Sequence, residues 1–183
     1  MTASALGDTL ARLDRSRVAL RLAVDEVAPA LRDRAPGVDR WSVAGVLEHL
    51  ALVEARYAAN LAGAMAPVPA TSAQAGAPGD PLLPPPVEAM LADRTSRRTA
   101  IEPVQPRGMD WRAALERAEA AREALRTLLH DAAARDWSRL TLEHPRFGAM
   151  NAFQWGQFLS GHESRHTEQI REISEQLAGE SHP

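Results

Sequence analysis

The sequence predicts an all-α protein whose long helices pack as a four-helix bundle. Four stretches repeat apolar side chains at helical spacing, near residues 4–31, 42–65, 110–134 and 149–178. No stretch alternates apolar and polar side chains as a half-buried strand does. Helices that are apolar on one face bury that face best against one another, so a bundle is the expected packing.

The first two long helices are separated by clear stop and start signals. Pro36 and Gly37 lie between them and cannot continue the first helix. Ser42 is a predicted N-cap for the second helix, because its hydroxyl can accept a hydrogen bond from a free backbone N–H of the first turn. Trp41, just before that cap, is placed to act as a hydrophobic staple.

A long loop is predicted after the second helix. From Ala66 to Pro86 the composition changes to Pro, Gly, Ala and Ser, and the stretch ends in three consecutive prolines. Proline removes a backbone donor and breaks a helix interior, so we expect a flexible linker at 66–86 within a single domain spanning 1–183. A shorter helix is predicted over 87–101, and the proline-bearing segment 102–108 is expected to be extended.

The last two long helices also have start signals. Asp110 is expected to begin the third long helix, which reaches about Ala134. Gly148 and Asn151 mark the start of the fourth.

Composition and charge exclude several classes of function. The net charge is −3, and the 21 basic residues, all arginine, are scattered among acids, so no basic patch for nucleic acid is expected. The apolar stretches are shorter than the roughly 20 residues of a membrane span, and the first residues lack the pattern of a signal peptide. We therefore expect a cytoplasmic protein that binds neither nucleic acid nor membrane.

Cysteine is absent, and this restricts the chemistry of any metal site. Without cysteine there is no disulfide, no thiolate nucleophile and no sulfur ligand. A metal ion would have to be held by His, Asp or Glu.

Three histidines lie on helix faces that should point into the bundle. His162 and His166 occupy the apolar stripe of the fourth helix and are four residues apart, about 40° around the axis and about 6 Å along it. His49 lies at or beside the core-facing stripe of the second helix. A buried imidazole without a partner costs about 1 to 3 kcal/mol, and one shared divalent cation would offset that cost for all three. Hydrogen-bonded core histidines, or a solvated pair, remain alternatives at this point.

Other candidate residues have ordinary explanations. The remaining histidines are not expected to be ligands: His130, His144 and His182. The charged neighbours of the three candidates are expected at the rim or surface: Glu48, Glu163 and Arg165. The four tryptophans are expected to be core or cap anchors: Trp41, Trp111, Trp137 and Trp155.

Several segments resemble the DinB-like family. The run WSVAGVLEHL, residues 41–50, resembles the helix-two motif W-s-x4-L-x-H-L of that family. The runs HPRFGAMN at 144–151 and HESRHTEQI at 162–170 resemble its HP-x-x-G and H-x-x-R-H-x-x-Q-I segments, and residues 101–106 resemble its proline-bearing crossover. The resemblance covers about residues 6–178, apart from the linker.

The resemblance implies both a topology and a set of metal ligands. It implies an up-down-down-up four-helix bundle, often a homodimer, in which His49, His162 and His166 bind one divalent ion. Nitrogen donors with open positions suit zinc, nickel, iron or manganese. No catalytic side chain is identified, and no organic cofactor motif is found.

Two hypotheses of function follow. In the first, the protein is a metal-dependent thiol S-transferase, or a related hydrolase or isomerase, with a low-molecular-weight thiol and a small electrophile as partners. Some members of the family that this chain resembles use bacillithiol or mycothiol, and many have no assigned activity. A chain rich in alanine and arginine without lysine is typical of G+C-rich genomes, which favours mycothiol. In the second, it is a non-catalytic metal-binding stress or scaffold protein. A solvent-accessible pocket at the metal would favour the enzyme.

Overall fold

The computed structural model describes residues 2–70, 83–95, 99–135, 140–144 and 146–179. Five α-helices and one two-stranded hairpin make up its regular structure, with 3₁₀ turns at Pro29–Leu31 and Glu102–Val104. The elements are α1 (Thr2–Asp25), α2 (Val43–Met65), α3 (Pro85–Ala92), α4 (Trp111–Ala133), β1 (Thr141–His144), β2 (Gly148–Asn151) and α5 (Ala152–Gly179). Within this described part of the chain, no helix has the length and apolarity needed to span a bilayer.

The four long helices follow the up-down-down-up order. At one end of the bundle, Leu6 near the start of α1 and Phe153 at the start of α5 pack in the same cluster as Met65, the last residue of α2. At the other end, Ile173 late in α5 packs with Val46 early in α2. The end of α4 joins the first cluster and its start joins the second, so α4 runs parallel to α2. The predicted fold is confirmed.

The first helix ends earlier than predicted. Helix α1 stops at Asp25, and a separate 3₁₀ turn occupies Pro29–Leu31. Ala28 has φ −53° and ψ 133°, outside the helical region, because the ring of Pro29 disfavours that region for the residue before it. The proline signal at this position therefore overrides the apolar periodicity that suggested a helix to residue 31.

The helix starts agree with the predicted caps. The Ser42 hydroxyl accepts a hydrogen bond from the Gly45 N–H at 3.1 Å, and α2 begins at the next residue. The Asp110 carboxylate accepts two N–H groups in the first turn of α4. The Asn151 side chain accepts from Phe153 and from the residue after it, which places the start of α5 at residue 152 rather than 149.

The short helix is shifted and shorter than predicted. Helix α3 begins at Pro85, before the predicted start at residue 87, and ends at Ala92 rather than at residue 101. Prolines are tolerated in the first turn of a helix, because the N–H groups there have no partner within the helix. Most of the predicted linker, residues 71–82, lies outside the described residues.

A hairpin between α4 and α5 is absent from the sequence-based prediction. Strands β1 and β2 pair in antiparallel register, with His144 opposite Gly148. Each strand has four residues, too few for an alternating pattern to be recognised. The hairpin is held by its surroundings, because Met150 is buried in the core and the Trp155 indole N–H donates to the Leu142 carbonyl at 3.1 Å.

Candidate metal site

The three predicted histidines converge on one point between α2 and α5. His49 lies in the second turn of α2, and His162 and His166 lie one turn apart on α5. The Nε2 atom of His162 is 3.4 Å from Nε2 of His49 and 3.3 Å from Nε2 of His166. One ligand atom from each ring lies within 4.8 Å of the other two. We refer to these residues as the histidine triad.

Hydrogen bonds orient two of the three rings. The Nδ1 atom of His49 lies 2.7 Å from the Val104 carbonyl oxygen, which can only accept, so Nδ1 carries the proton. The Nδ1 atom of His166 lies 2.8 Å from Oε1 of Gln169 and donates in the same way. In both rings the unprotonated Nε2 therefore faces the centre of the triad. This is how protein histidines that bind metals are usually held.

The triad is neutral at physiological pH. Burial lowers the pKa of His49. Burial, followed by the neighbouring His166 and His49 rings, lowers the pKa of His162 well below its usual value. Burial and the nearby His49 lower the pKa of His166 to about 3. Neutral imidazole is the form that binds a metal ion.

The arrangement fits a divalent ion bound by nitrogen. Donor atoms about 2.0 to 2.1 Å from a common tetrahedral ion are about 3.4 Å apart, and two of the three distances within the triad have this value. Among the described residues, no carboxylate joins the group. Three nitrogen donors would leave at least one coordination position for a ligand from solvent.

Aromatic side chains flank the triad on two sides. The Trp41 ring lies 4.9 Å from the His49 ring and 6.2 Å from the His166 ring, between ring centres. On the other side, the Phe158 ring stacks on His162 at 5.8 Å and 15°. Trp41 also packs against the core near the start of α2, so its predicted role as an anchor is incomplete. Its place beside the histidines could have been inferred only from the three-dimensional packing.

An open cleft leads from the surface to the triad. Its volume is about 710 Å³, and all three histidines and Trp41 line it. His162 and His166 are half-buried, whereas His49 is buried at its floor. The cleft therefore connects the histidine triad with solvent.

Comparison with known proteins identifies the family. The family model of the DinB superfamily matches residues 12–170. The chain belongs to the DinB superfamily. A crystal structure of TT2238, described as a four-helix bundle protein, is similar in fold with a TM-score of 0.52. It is 23% identical, and the match covers 91% of this chain and 98% of that one. Comparison with curated proteins gave no match.

Glu48 of this DinB protein is buried rather than at the rim, which corrects the sequence-based expectation. Its Oε2 atom accepts hydrogen bonds from the N–H groups of Gly108 and Met109, both at 3.1 Å. These residues belong to the crossover segment 99–110, which also carries the Val104 carbonyl that binds His49. The crossover covers a face of α2 that helical periodicity alone assigns to solvent.

Glu163 is also buried, contrary to the expectation that it lies at the surface. Its carboxylate accepts from Arg17 Nε at 2.7 Å and from Arg122 NH2 at 2.9 Å, and the Ser16 hydroxyl donates to it as well. Glu54 binds the same two arginines. We call these five residues the buried charge cluster. Helix α5 is enclosed on more than one face, so a residue 100° from the histidine stripe still points into the bundle.

The remaining predicted residues of this DinB protein lie outside the triad. Arg165 is half-buried at the edge of the cleft, as expected, and donates to the Asp93 carbonyl. His130 is exposed in the last turn of α4. His144 lies on β1 with its ring 4.9 Å from that of Phe158. Two residues considered above lie outside the described part of the chain: Trp137 and His182.

Proposed function

We propose that this DinB protein is a metal-dependent enzyme that transfers a low-molecular-weight thiol to a small electrophile. His49, His162 and His166 would hold the divalent ion. The observation that carries this proposal is the convergence of three neutral Nε2 atoms at the floor of an open cleft.

The chemistry follows from the donor set. A divalent ion bound by neutral imidazoles keeps its full charge, and it would lower the pKa of a bound thiol enough to supply a thiolate near neutral pH. The hydrogen bonds to Val104 and Gln169 hold the rings in the required tautomer. Trp41 and Phe158 place aromatic rings against two sides of the triad. In the reaction the thiol loses its proton, sulfur bonds to an electrophilic carbon, and the leaving group departs with its bonding electron pair.

The cleft favours an enzyme over a purely structural ion. A structural metal site is usually closed, with four protein ligands and no access for solvent. Here three donors face a volume of about 710 Å³, within the range of small-molecule pockets, and a thiol and an electrophile could both enter. We propose that the ion is zinc, nickel, iron or manganese, and that the thiol is mycothiol or bacillithiol.

The test combines metal analysis with a transfer assay. Purified protein should contain about one divalent ion per chain by elemental analysis. The metal-loaded protein should accelerate the displacement of chloride from 1-chloro-2,4-dinitrobenzene by at least one of mycothiol, bacillithiol and glutathione. Chelated protein and the His49→Ala variant should show only the uncatalysed rate.

Two results would overturn the enzymatic proposal. Bound metal without acceleration for any thiol and electrophile tried would favour the non-catalytic metal-binding protein instead. Equal acceleration by the loaded, chelated and His49→Ala preparations would show that the histidine triad does not carry the reaction.

A further inference from the structure

Arginines outnumber acidic residues in the lining of the cleft. Arg40, Arg94 and Arg165 line it, against Asp39 and Glu172. A divalent ion on three neutral histidines would add further positive charge. With a bound ion the net charge of the lining would be clearly positive, and a low-dielectric cleft with a net positive charge attracts anions. The cleft therefore favours an anionic ligand.

Two of the three arginines have structural partners. Arg94 forms an ion pair with Glu172 and donates to the Arg165 carbonyl at 2.7 Å. Arg165 donates to the carbonyl of Asp93. These bonds join the residues after α3 to α5 and build one wall of the cleft. The guanidinium groups of Arg94 and Arg165 are therefore held in place by other groups of the protein.

Arg40 differs from the other two arginines. It is half-buried at the cleft, and within the described part of the chain no carboxylate forms an ion pair with it. A partly desolvated guanidinium without a carboxylate is poorly compensated, because arginine stays charged at all physiological pH values. An anion from solvent could supply the missing partner.

The backbone at Asp39 has an unusual conformation just before two residues that line the cleft. Asp39 has φ 56°, in the left-handed region that residues other than glycine seldom adopt. Such a conformation persists only where the surrounding structure holds it, and it is common near binding sites. Arg40 and Trp41, the two residues that follow, both line the cleft, and Trp41 contacts His49. Arg40 is thus adjacent in the chain to a side chain that touches the triad.

We propose that Arg40 is an anion-binding residue of this cleft and that the ligand bound beside the triad carries a carboxylate. The planar guanidinium can bind both oxygens of a carboxylate, which gives direction as well as affinity. This inference rests on the proposed function, because it assigns the carboxylate to the molecule that brings its thiol to the metal site. It therefore favours bacillithiol or glutathione, which carry free carboxylates, over mycothiol, which has none. Arg40 would select among thiols and would not act in the bond-forming step.

The test compares two thiols of the same length, one ending in a carboxylate and the other in a neutral hydroxyl. Protein loaded with cobalt(II) is titrated with 3-mercaptopropionate and with its neutral analogue 3-mercaptopropan-1-ol, and the thiolate-to-cobalt absorption band is followed. The anionic thiol should bind about fivefold to tenfold more tightly, as expected for one partly buried charge pair. Arg40→Gln should remove the preference, and Arg40→Lys should retain part of it. Arg117→Gln, which removes an exposed arginine of α4, should leave it unchanged.

A parallel titration with propionate separates failure of this inference from failure of the proposed function. Propionate has the carboxylate but no thiol, and its binding is followed through the cobalt spectrum. Binding of propionate that depends on Arg40, with no thiolate band from either thiol, would support the anion subsite and contradict thiol transfer. Equal affinity for the two thiols, or a preference that survives Arg40→Gln, would overturn the subsite. Failure to bind cobalt would overturn both proposals.

Discussion

At the scale of single residues, the imidazole rings of the triad are the groups on which metal binding should depend. His166→Ala removes one of three donors to the metal. Metal affinity should therefore fall by more than the roughly 10-fold to 100-fold caused by loss of a residue that only hydrogen-bonds a metal ligand. The helices should persist, because apolar packing carries most of the stability. Elemental analysis and far-ultraviolet circular dichroism measure the two effects.

The matched control for His166→Ala is His130→Ala. His130 is exposed at the end of α4, so its removal should change neither metal content nor helicity. A His166→Ala protein that retains its full metal content would end the hypothesis of a three-histidine site.

Glu48 should act on the metal through the crossover segment. Its carboxylate binds the N–H groups of Gly108 and Met109, and the same segment presents the Val104 carbonyl to His49. Glu48→Gln weakens this anchor, so the orientation of His49 should be less well defined. We expect metal affinity to fall about 10-fold, which is typical when a residue that supports a metal ligand is lost. Competition with a chelator of known affinity measures the change.

A carboxylate that binds the backbone at the start of α4 provides the control. Asp33 accepts a hydrogen bond from the Trp111 N–H at 2.8 Å, but no described bond links it to the triad. Asp33→Asn should therefore leave metal affinity unchanged, even if stability falls. Equal losses in the two variants would mean that Glu48 supports the fold in general and not His49 in particular.

At the scale of elements, the buried charge cluster joins α1, α2, α4 and α5. Glu163→Gln would leave Arg17 and Arg122 with only Glu54 as a buried counter-charge. Loss of one partner of a buried ion pair typically costs about 3 to 5 kcal/mol of unfolding free energy. We expect a loss of that size, measured by urea unfolding.

An exposed ion pair on the same helix shows what burial contributes. Glu168 pairs with Arg171 on the surface of α5. Glu168→Gln should cost no more than about 0.5 kcal/mol, because water screens the pair. A similar small loss for Glu163→Gln would show that the buried charge cluster contributes little to the packing of the helices.

At the scale of the whole molecule, the metal should stabilise the bundle. The triad joins α2 to α5, which are distant in sequence, so an ion bound there favours the folded chain over the unfolded one. Free metal at about 100 times its dissociation constant adds about 2.7 kcal/mol. For a chain of this size that corresponds to a rise in Tm of about 5 to 10 °C, measured by calorimetry with and without chelator.

The control for this prediction is a variant in which the histidine triad is incomplete. The His166→Ala variant should show a much smaller rise in Tm with metal. An equal rise in both proteins would indicate that the ion binds elsewhere. The predicted homodimer is a separate matter that light scattering on the 19.8 kDa chain can test.

Much of the fold could be inferred from local signals in the sequence. Ser42 and Asp110 cap helices because their side chains reach free N–H groups within the same turn. The prediction placed His162 and His166 on one face, and they lie there because helical geometry fixes residues four apart. These features depend on neighbours in the chain, which the sequence shows directly.

The sequence by itself determined the helices, their caps and the three histidines, whereas the tertiary structure decided what surrounds them. Glu48 and Glu163 are adjacent in sequence to triad residues, yet a crossover and two other helices bury them. Trp41 reaches His166 across more than a hundred residues of chain. Periodicity assigns each helix one apolar face, but it does not show how many neighbours enclose that helix. Burial of a charge depends on those neighbours, which is why only the tertiary structure could reveal these contacts.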